Sequence, residues 1–332
     1  MEPTAVTLAA VQASPVFLNR HATLDKALRL IAEAARLGAK VIVFPEAFIP
    51  AFPYWYYFFP AHSTAAQALA QRLFEEAVEV PGPITARLGE AARNAQTWVV
   101  MGVNERRPGT LGTLYNSLVF IDPSGRLAGV HRKLVPTLSE RLVHAPGDGS
   151  GLRTYPAAFG RLGGLICGEH FNSFARLALL LQEERIHAAA WPAFPLARQV
   201  GGRTIDVRIA YHAMEGRVFV VSAAGLLDDH AVDAMGLGPS ERSLIASRGG
   251  HSGIVGPDGT YRAGPVDEEE AIITANVDLR EVTAQKLLFD LTGHSNRPDL
   301  FTLEIRTPSA PPLRLTPGSL PPAEQEDCDS KS

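Results

Sequence analysis

Cys167 lies in "LGGLICGEHFNS" (162–173), between an apolar run and a polar cluster, and the other cysteine of the 332-residue chain, Cys328, sits in the C-terminal tail. A lone cysteine reads either as a candidate nucleophile or as a small buried hydrophobe. Two other reactive groups share its placement. "VIVFPEAFIP" delivers Glu46 and "GVHRKLVPT" delivers Lys133, each just where an apolar run stops. Taken singly, Glu46 also reads as a helix cap or ion-pair partner, and Lys133, beside His131 and Arg132, as part of a solvated charge run. Taken together they make a reactive set. A thiolate is the nucleophilic form of cysteine, and a nearby ammonium or a helix N-terminus lowers the thiol pKa. A carboxylate in the same dry pocket can take the thiol proton and return it as a general acid–base.

Positioning these groups requires strands that end at one place. Short runs rich in Val, Ile and Ala alternate with amphipathic stretches, the pattern of an α/β fold. Strands are expected over 5–12, 40–46, 97–105, 114–122, 160–167, 187–194, 218–224 and 271–279, with a hairpin over 252–262 around "GPDG". Helices are expected over 24–38, 65–78, 84–96, 174–186 and 205–216, and "GDGSG" (147–151) reads as a loop. In open α/β sheets, sites gather beyond the carboxyl ends of the strands, so Glu46, Lys133 and Cys167 can converge. The interleaving runs without a linker-like break, and residues 1–305 are read as one domain. Residues 306–332 are Pro- and Ser-rich and end acidic; such a segment buries too little apolar surface to order itself, and Cys328 is read as structurally idle.

Composition narrows the function classes. The net charge is −4, from 31 basic and 35 acidic residues, which gives no general attraction to nucleic acid or to an anionic membrane. Two distant cysteines make neither a disulfide framework nor a four-cysteine metal site, and the ten histidines show no metal-ligand spacing. The N-terminus lacks the basic segment and apolar stretch of a signal peptide, and no 18-residue apolar run occurs; a cytoplasmic protein is expected. The G-x-S-x-G, G-x-G-x-x-G, Walker, H-E-x-x-H and C-x-x-C motifs are absent, which disfavours elbow-type serine hydrolases, dinucleotide enzymes, P-loop NTPases and zincins.

With these residues in view, the sequence resembles the nitrilase superfamily, whose signature is a Glu-Lys-Cys triad in that chain order. The matching motifs are "FPEAFIPAFPYW" (44–55), "HRKLVPTLSER" (131–141), "GDGS" (147–150), "CGEH" (167–170) and "GHSNRPD" (293–299), in family order along nearly the whole chain. The resemblance implies a four-layer α-β-β-α sandwich, with Glu46 as general base, Lys133 as stabiliser of developing negative charge, Cys167 as nucleophile and Glu140 as a further positioning glutamate. It implies hydrolysis of a small-molecule nitrile to the acid and ammonia through a covalent thioimidate and thioester, without cofactor or metal, and assembly into homodimers or larger spirals. An aliphatic amidase and a cyanide hydratase or dihydratase of the same superfamily stay open, as do a Cys-His hydrolase using His170 or His187 and a silent filament-forming scaffold. The chain departs from the family pattern at Gly168 and His144, where tryptophan is frequent, at Ser173 for proline and at Ser295 for tyrosine, and these bear on pocket shape. Seven aromatic residues fall between 52 and 59. Phe52, Tyr54 and Trp55 are the expected substrate-binding wall, together with Gly168, His170 and Trp191; Gly168 is expected to leave room beside the reacting carbon.

Overall fold

The apolar runs form two six-stranded sheets facing each other. The computed structural model describes residues 3–196 and 198–307; Cys328 and most of the expected tail lie outside the described residues. The first half of the chain gives β1 (Ala5–Gln12), α1 (Arg20–Arg36), β2 (Val41–Val43), α2 (Thr64–Glu76), α3 (Pro83–Ala95), β3 (Trp98–Arg106), β4 (Leu114–Ile121) and β5 (Leu127–Arg132). It continues with β6 (Tyr155–Ala157), β7 (Gly160–Ile166), α4 (Ser173–Leu180), β8 (Ile186–Trp191), α5 (Arg198–Gly216) and β9 (Phe219–Ala224). Two short helices, α6 (Asp229–Ala234) and α7 (Pro239–Arg242), precede β10 (Gly250–Val255), β11 (Tyr261–Asp267), β12 (Ala271–Asp278) and α8 (Arg280–Leu288).

Sheet order is β12-β1-β2-β3-β4-β5 in one sheet and β11-β10-β9-β8-β7-β6 in the other. The centres are parallel, β1 with β2 and β3 in the first sheet and β7 with β8 and β9 in the second. Strands of this kind are buried on both faces, which is why they read as continuous apolar runs. In β1, Leu8 and Ala10 face the second sheet, packed with Val43, Val100, Ile166 and Val220. Ala9 and Val11 face the other way, against Leu24 and Ile31 of α1 and Leu88 of α3. Ile205, Ile209 and Ala213 of α5 cover the far side of the second sheet. The layers are therefore α-β-β-α, as expected.

Several boundaries differ from expectation for identifiable reasons. The strand expected over 40–46 stops at Val43, because Pro45 has no N–H for the ladder. The chain then crosses toward the facing sheet, where the Glu46 N–H donates to the Trp191 carbonyl at 3.3 Å. The helix expected over 174–186 ends at Leu180; Glu183 takes a left-handed φ of 58°, and Glu184 turns into the interior instead of continuing a surface helix. The helix expected from 205 starts at Arg198. Near the C-terminus, Leu303 and Ile305 still pack against Leu152, Leu165 and α4.

Gly102 on β3 shows how tightly the sheet holds the Glu46 loop. A Cβ there would overlap the Pro45 carbonyl and sit 2.7 Å from the Ala47 N. Gly102→Ala is expected to cost about 1–3 kcal/mol by overpacking and to lower catalytic rate by moving Glu46. Denaturant titration and kinetics on one preparation check this, and a variant matching the parent in both would show that the loop yields freely.

Candidate active site

Topology alone brings the reactive groups to one edge. β5 runs parallel to β2 and β3, since it is antiparallel to β4 and β4 is antiparallel to β3. The carboxyl ends of β2 and β5 and the amino end of β4 therefore share one edge, and they carry Glu46, Lys133 and Asn116. Lys133 is buried, 1% exposed, and its Nζ donates to Glu46 Oε1 at 2.8 Å and to Glu140 Oε2 at 2.5 Å. Asn116 Nδ2 bridges the same two acids, donating to Glu46 Oε1 at 2.6 Å and Glu140 Oε1 at 2.8 Å. Glu140 stands on a 3-10 turn, Leu138–Leu142, and its Oε2 also accepts from the Thr137 N–H at 3.0 Å.

Two carboxylates thus share one ammonium in a dry site. Burial opposes charge on Lys133, but the surrounding negative groups, Glu46 first, raise its pKa and keep it protonated. Burial also opposes charge on Glu140, yet Lys133 and then His144 hold its pKa below the usual range. Glu46 is the acid left in excess: burial, reinforced by Glu140 and only partly offset by Lys133, raises it to about 7. Its Oε2 has no hydrogen-bond partner among the described residues. The site contains a carboxylate poised near neutrality with one oxygen free.

Cys167 begins a 3-10 turn, Cys167–Phe171, at the end of β7, with a left-handed φ of 43°. The expectation that Lys133 and a helix N-terminus depress its pKa is corrected by the geometry. Burial first, and the charge on Glu46 next, push the thiol well above its usual range, and the opposing pull of Lys133 offsets only part of this. The resting thiol keeps its proton and needs a base. Glu169, not singled out from the sequence, fastens the turn: Oε2 accepts from the Ile166 N–H at 2.9 Å and faces His131 Nε2 at 2.8 Å, and Oε1 accepts from the Leu134 N–H at 2.9 Å. One buried carboxylate so links the residue before Cys167 to the residue after Lys133. Asn116 and Glu169 left the same faint signal in the sequence, a polar side chain inside or abutting an apolar run.

A cavity of about 220 Å³ reaches Cys167 and Glu140, walled by Phe52, Tyr57, Thr137, Pro192, Phe194 and Leu196 among others. Of the expected binding residues, Phe52 lines it. Tyr54 and Trp55 are buried behind: the Tyr54 hydroxyl accepts from the Ala193 N–H at 2.8 Å, fixing the wall segment, and Trp55 packs on Phe17. His170 and Trp191 stack on each other at 4.7 Å and do not line the cavity. Gly168 does not leave open room, since a Cβ there would lie 2.6 Å from Thr137 Oγ1. A larger groove of about 610 Å³ between α1 and α3 holds no cysteine, lysine or histidine among its lining residues. Among the described residues one trio has metal-ligand types, Glu184, His187 and His212, with donor atoms within 4.8 Å; hydrogen bonds of 2.8 and 3.0 Å already join them. No helix among the described residues is long and apolar enough to cross a membrane.

Residues 7–287 match the carbon–nitrogen hydrolase family. The chain is 38% identical over 309 residues to a nitrilase of Paraburkholderia phymatum, covering 93% of this chain and 88% of that one. It is 36% identical over 311 residues to an aliphatic nitrilase of Rhodococcus rhodochrous, covering 92% and 84%. Its fold is similar to that of Saccharomyces cerevisiae Nit3, a member of branch 10 of the nitrilase superfamily, with a TM-score of 0.70, 20% identity and coverage of 89% and 98%. The chain belongs to the carbon–nitrogen hydrolase family and, within it, to the nitrilases.

The pKa of Glu46 carries a stability consequence. An unfolded glutamate releases its proton near 4.5, whereas folded Glu46 holds it to about 7. The folded state therefore binds the extra proton across that window, and stability from this group is present below pH 4.5 and lost as pH rises to 7. Glu46→Gln removes the titration, so its stability relative to the parent should be about 1–3 kcal/mol greater at pH 8 than at pH 4.5. Melting curves at both pH values check it; a difference that does not change with pH would place the raised pKa elsewhere.

Proposed function

We propose that this chain hydrolyses organic nitriles to the carboxylic acid and ammonia, with Cys167 as nucleophile, Glu46 as general base and acid, Lys133 as anion stabiliser and Glu140 as a positioning residue. The observation that carries this reading is the free Glu46 Oε2 on a carboxyl of pKa about 7, in the same buried site as a protonated thiol. The nitrilase relatives at 36–38% identity support the substrate class.

The steps follow from the donors present. Glu46 takes the thiol proton as Sγ adds to the nitrile carbon, and the nitrile nitrogen receives that proton, giving a thioimidate. Water adds next, its proton going to Glu46, and the C–N bond breaks as Glu46 protonates the leaving nitrogen to ammonia. A second water attacks the thioester, the C–S bond breaks, and the acid leaves with the thiol reprotonated. Lys133 Nζ and the Gly168 N–H meet the negative charge developing on nitrogen and then oxygen, the preorganised donor arrangement that lowers such barriers. If C–S cleavage precedes C–N cleavage the product is the amide. The Phe52, Tyr57 and Phe194 wall suits an apolar substituent on the nitrile.

A second copy of the chain is the proposed partner. Phe171, Phe174, Val207, Tyr211 and Met214 are exposed on one side of α4 and α5, Phe174 by 71%. The two helices are joined by an Arg176–Glu215 ion pair at 3.2 Å, and Arg208 of α5 lies over the ring of Phe171, which ends the Cys167 turn. An apolar face of this kind marks an interaction site, and the turn carrying Cys167 runs directly into it.

Three outcomes test this reading. A nitrile panel, scored for ammonia and for acid against amide, should show acid release from an apolar nitrile; turnover of primary amides or cyanide alone would select the amidase or cyanide-hydrating alternative. Cys167→Ala should abolish turnover at a stability cost of about 1 kcal/mol or less, because little volume is removed. Gly168→Trp should lower rates for small and bulky nitriles alike, as it must displace Thr137 and with it the Glu140 turn; selective loss of bulky substrates would restore the idea of an open pocket there. For the assembly, Phe174→Arg should yield a lighter species by light scattering, and an unchanged mass would move the interface elsewhere.

A further inference from the structure

Behind the nucleophile turn lies a polar chain that the mechanism above does not use. His170 Nδ1 lies 2.9 Å from the Cys167 carbonyl oxygen, and His170 Nε2 lies 3.0 Å from His187 Nε2. His187 Nδ1 lies 2.8 Å from Glu184 Oε1, and Glu184 Oε2 lies 3.0 Å from His212 Nε2. Every member is buried, 1% exposed or less. Room is made for it in the sequence, because a Cβ on Gly163 would overlap Glu184 Oε1.

Proton counting assigns each nitrogen. A carbonyl oxygen only accepts, so His170 Nδ1 carries hydrogen. A neutral ring then offers Nε2 as an acceptor, so His187 Nε2 carries hydrogen too. Glu184 lies between His187 Nδ1 and His212 Nε2, and as a carboxylate it can accept from both. Burial opposes its charge, but His187 and then His212 hold its pKa down at about 2. Burial first, and the neighbouring His187 next, hold the His170 pKa well below the usual imidazole range and keep the ring neutral. The outcome is a buried hydrogen-bonded chain that runs from the Glu184 carboxylate through His187 and His170 to the Cys167 carbonyl.

The carbonyl of Cys167 and the N–H of Gly168 belong to one planar peptide, and that N–H acts to lower the thiol pKa against burial. From this we infer that Glu184, His187 and His170 form a positioning relay that locks the Cys167–Gly168 peptide and polarises its N–H toward the sulfur and the anionic nitrogen and oxygen of the reaction. Chained hydrogen bonds strengthen one another in a low dielectric, and a fixed peptide holds the left-handed Cys167 in place. The assignment rests on the cysteine chemistry proposed above and adds residues that never touch substrate. The charged and titratable groups around the turn are Glu169 within it, paired with His131, Arg176, whose Nη1 donates to the His170 carbonyl at 2.7 Å, its partner Glu215, Arg208 over the Phe171 ring, and Glu46, Lys133 and Glu140 on the cavity side.

The test measures the rate at which iodoacetamide alkylates the Cys167 peptide against pH, by mass spectrometry, alongside kcat and KM. Glu184→Gln keeps shape and hydrogen bonding but removes the charge. It should move the alkylation profile to higher pH by about half a unit or more and lower kcat roughly tenfold, with KM within about twofold. His170→Asn, whose amide can reach the Cys167 carbonyl, should retain more activity than His170→Leu. A folded Glu184→Gln with the parent's profile and kcat would overturn the relay. Should that variant not fold, selectively labelled histidine in the wild-type protein decides: His170 with its proton on Nδ1 at pH 8 supports it, and a proton on Nε2 alone overturns it. Alkylation and labelling need no nitrile, so they separate failure of the relay from failure of the proposed substrate.

Discussion

One ammonium buried between two carboxylates is the constraint on which the rest depends. Lys133 cannot neutralise both Glu46 and Glu140, and a dry site cannot shed the surplus negative charge to water. The surplus settles on Glu46, the acid with an unpartnered oxygen, while Glu140 is pinned by the Thr137 N–H as well as Lys133. Two chemically identical side chains thereby acquire different properties. The same surplus acts on Cys167, raising the thiol pKa together with burial.

Keeping such a cluster dry requires elements that arrive from several directions without exposing backbone. Strands β2, β5 and β7 do this by bringing their carboxyl ends together, and the antiparallel β4 contributes Asn116 from its opposite end. Neither sheet holds the whole site. Glu46, Asn116 and Lys133 come from one and Cys167 from the other, so the sheet-to-sheet packing sets the reacting geometry. Glu169 crosses between them, bonding the Ile166 and Leu134 N–H groups at the same time.

A polar layer behind the second sheet complements this arrangement. Most buried polar groups in proteins are hydrogen-bonded, and the Glu184, His187, His170 sequence meets that demand while ending on the Cys167 carbonyl. It also accounts for the early end of α4: the chain must turn after Leu180 to bring Glu184 inward.

Read by itself, the sequence determined the α/β layering and the ends at which Glu46, Lys133 and Cys167 stand, because apolar periodicity reports burial directly and a reactive residue interrupting it is visible. Glu140 was legible through the resemblance alone. The sequence could not rank the pKa values, because these depend on which charges meet across the sheets; it assigned Cys167 a depressed pKa where burial and Glu46 raise it. It placed Tyr54, Trp55, His170 and Trp191 in the pocket, where tertiary packing puts them behind it, since an aromatic residue looks the same lining a cavity or filling a core. Asn116, Glu169 and Glu184 were passed over because a single polar residue acquires its role only from partners distant in the chain. What the fold alone decided was therefore pairwise: which carboxylate keeps a free oxygen, which glycine makes room and for what, and which imidazole holds the nucleophile's peptide.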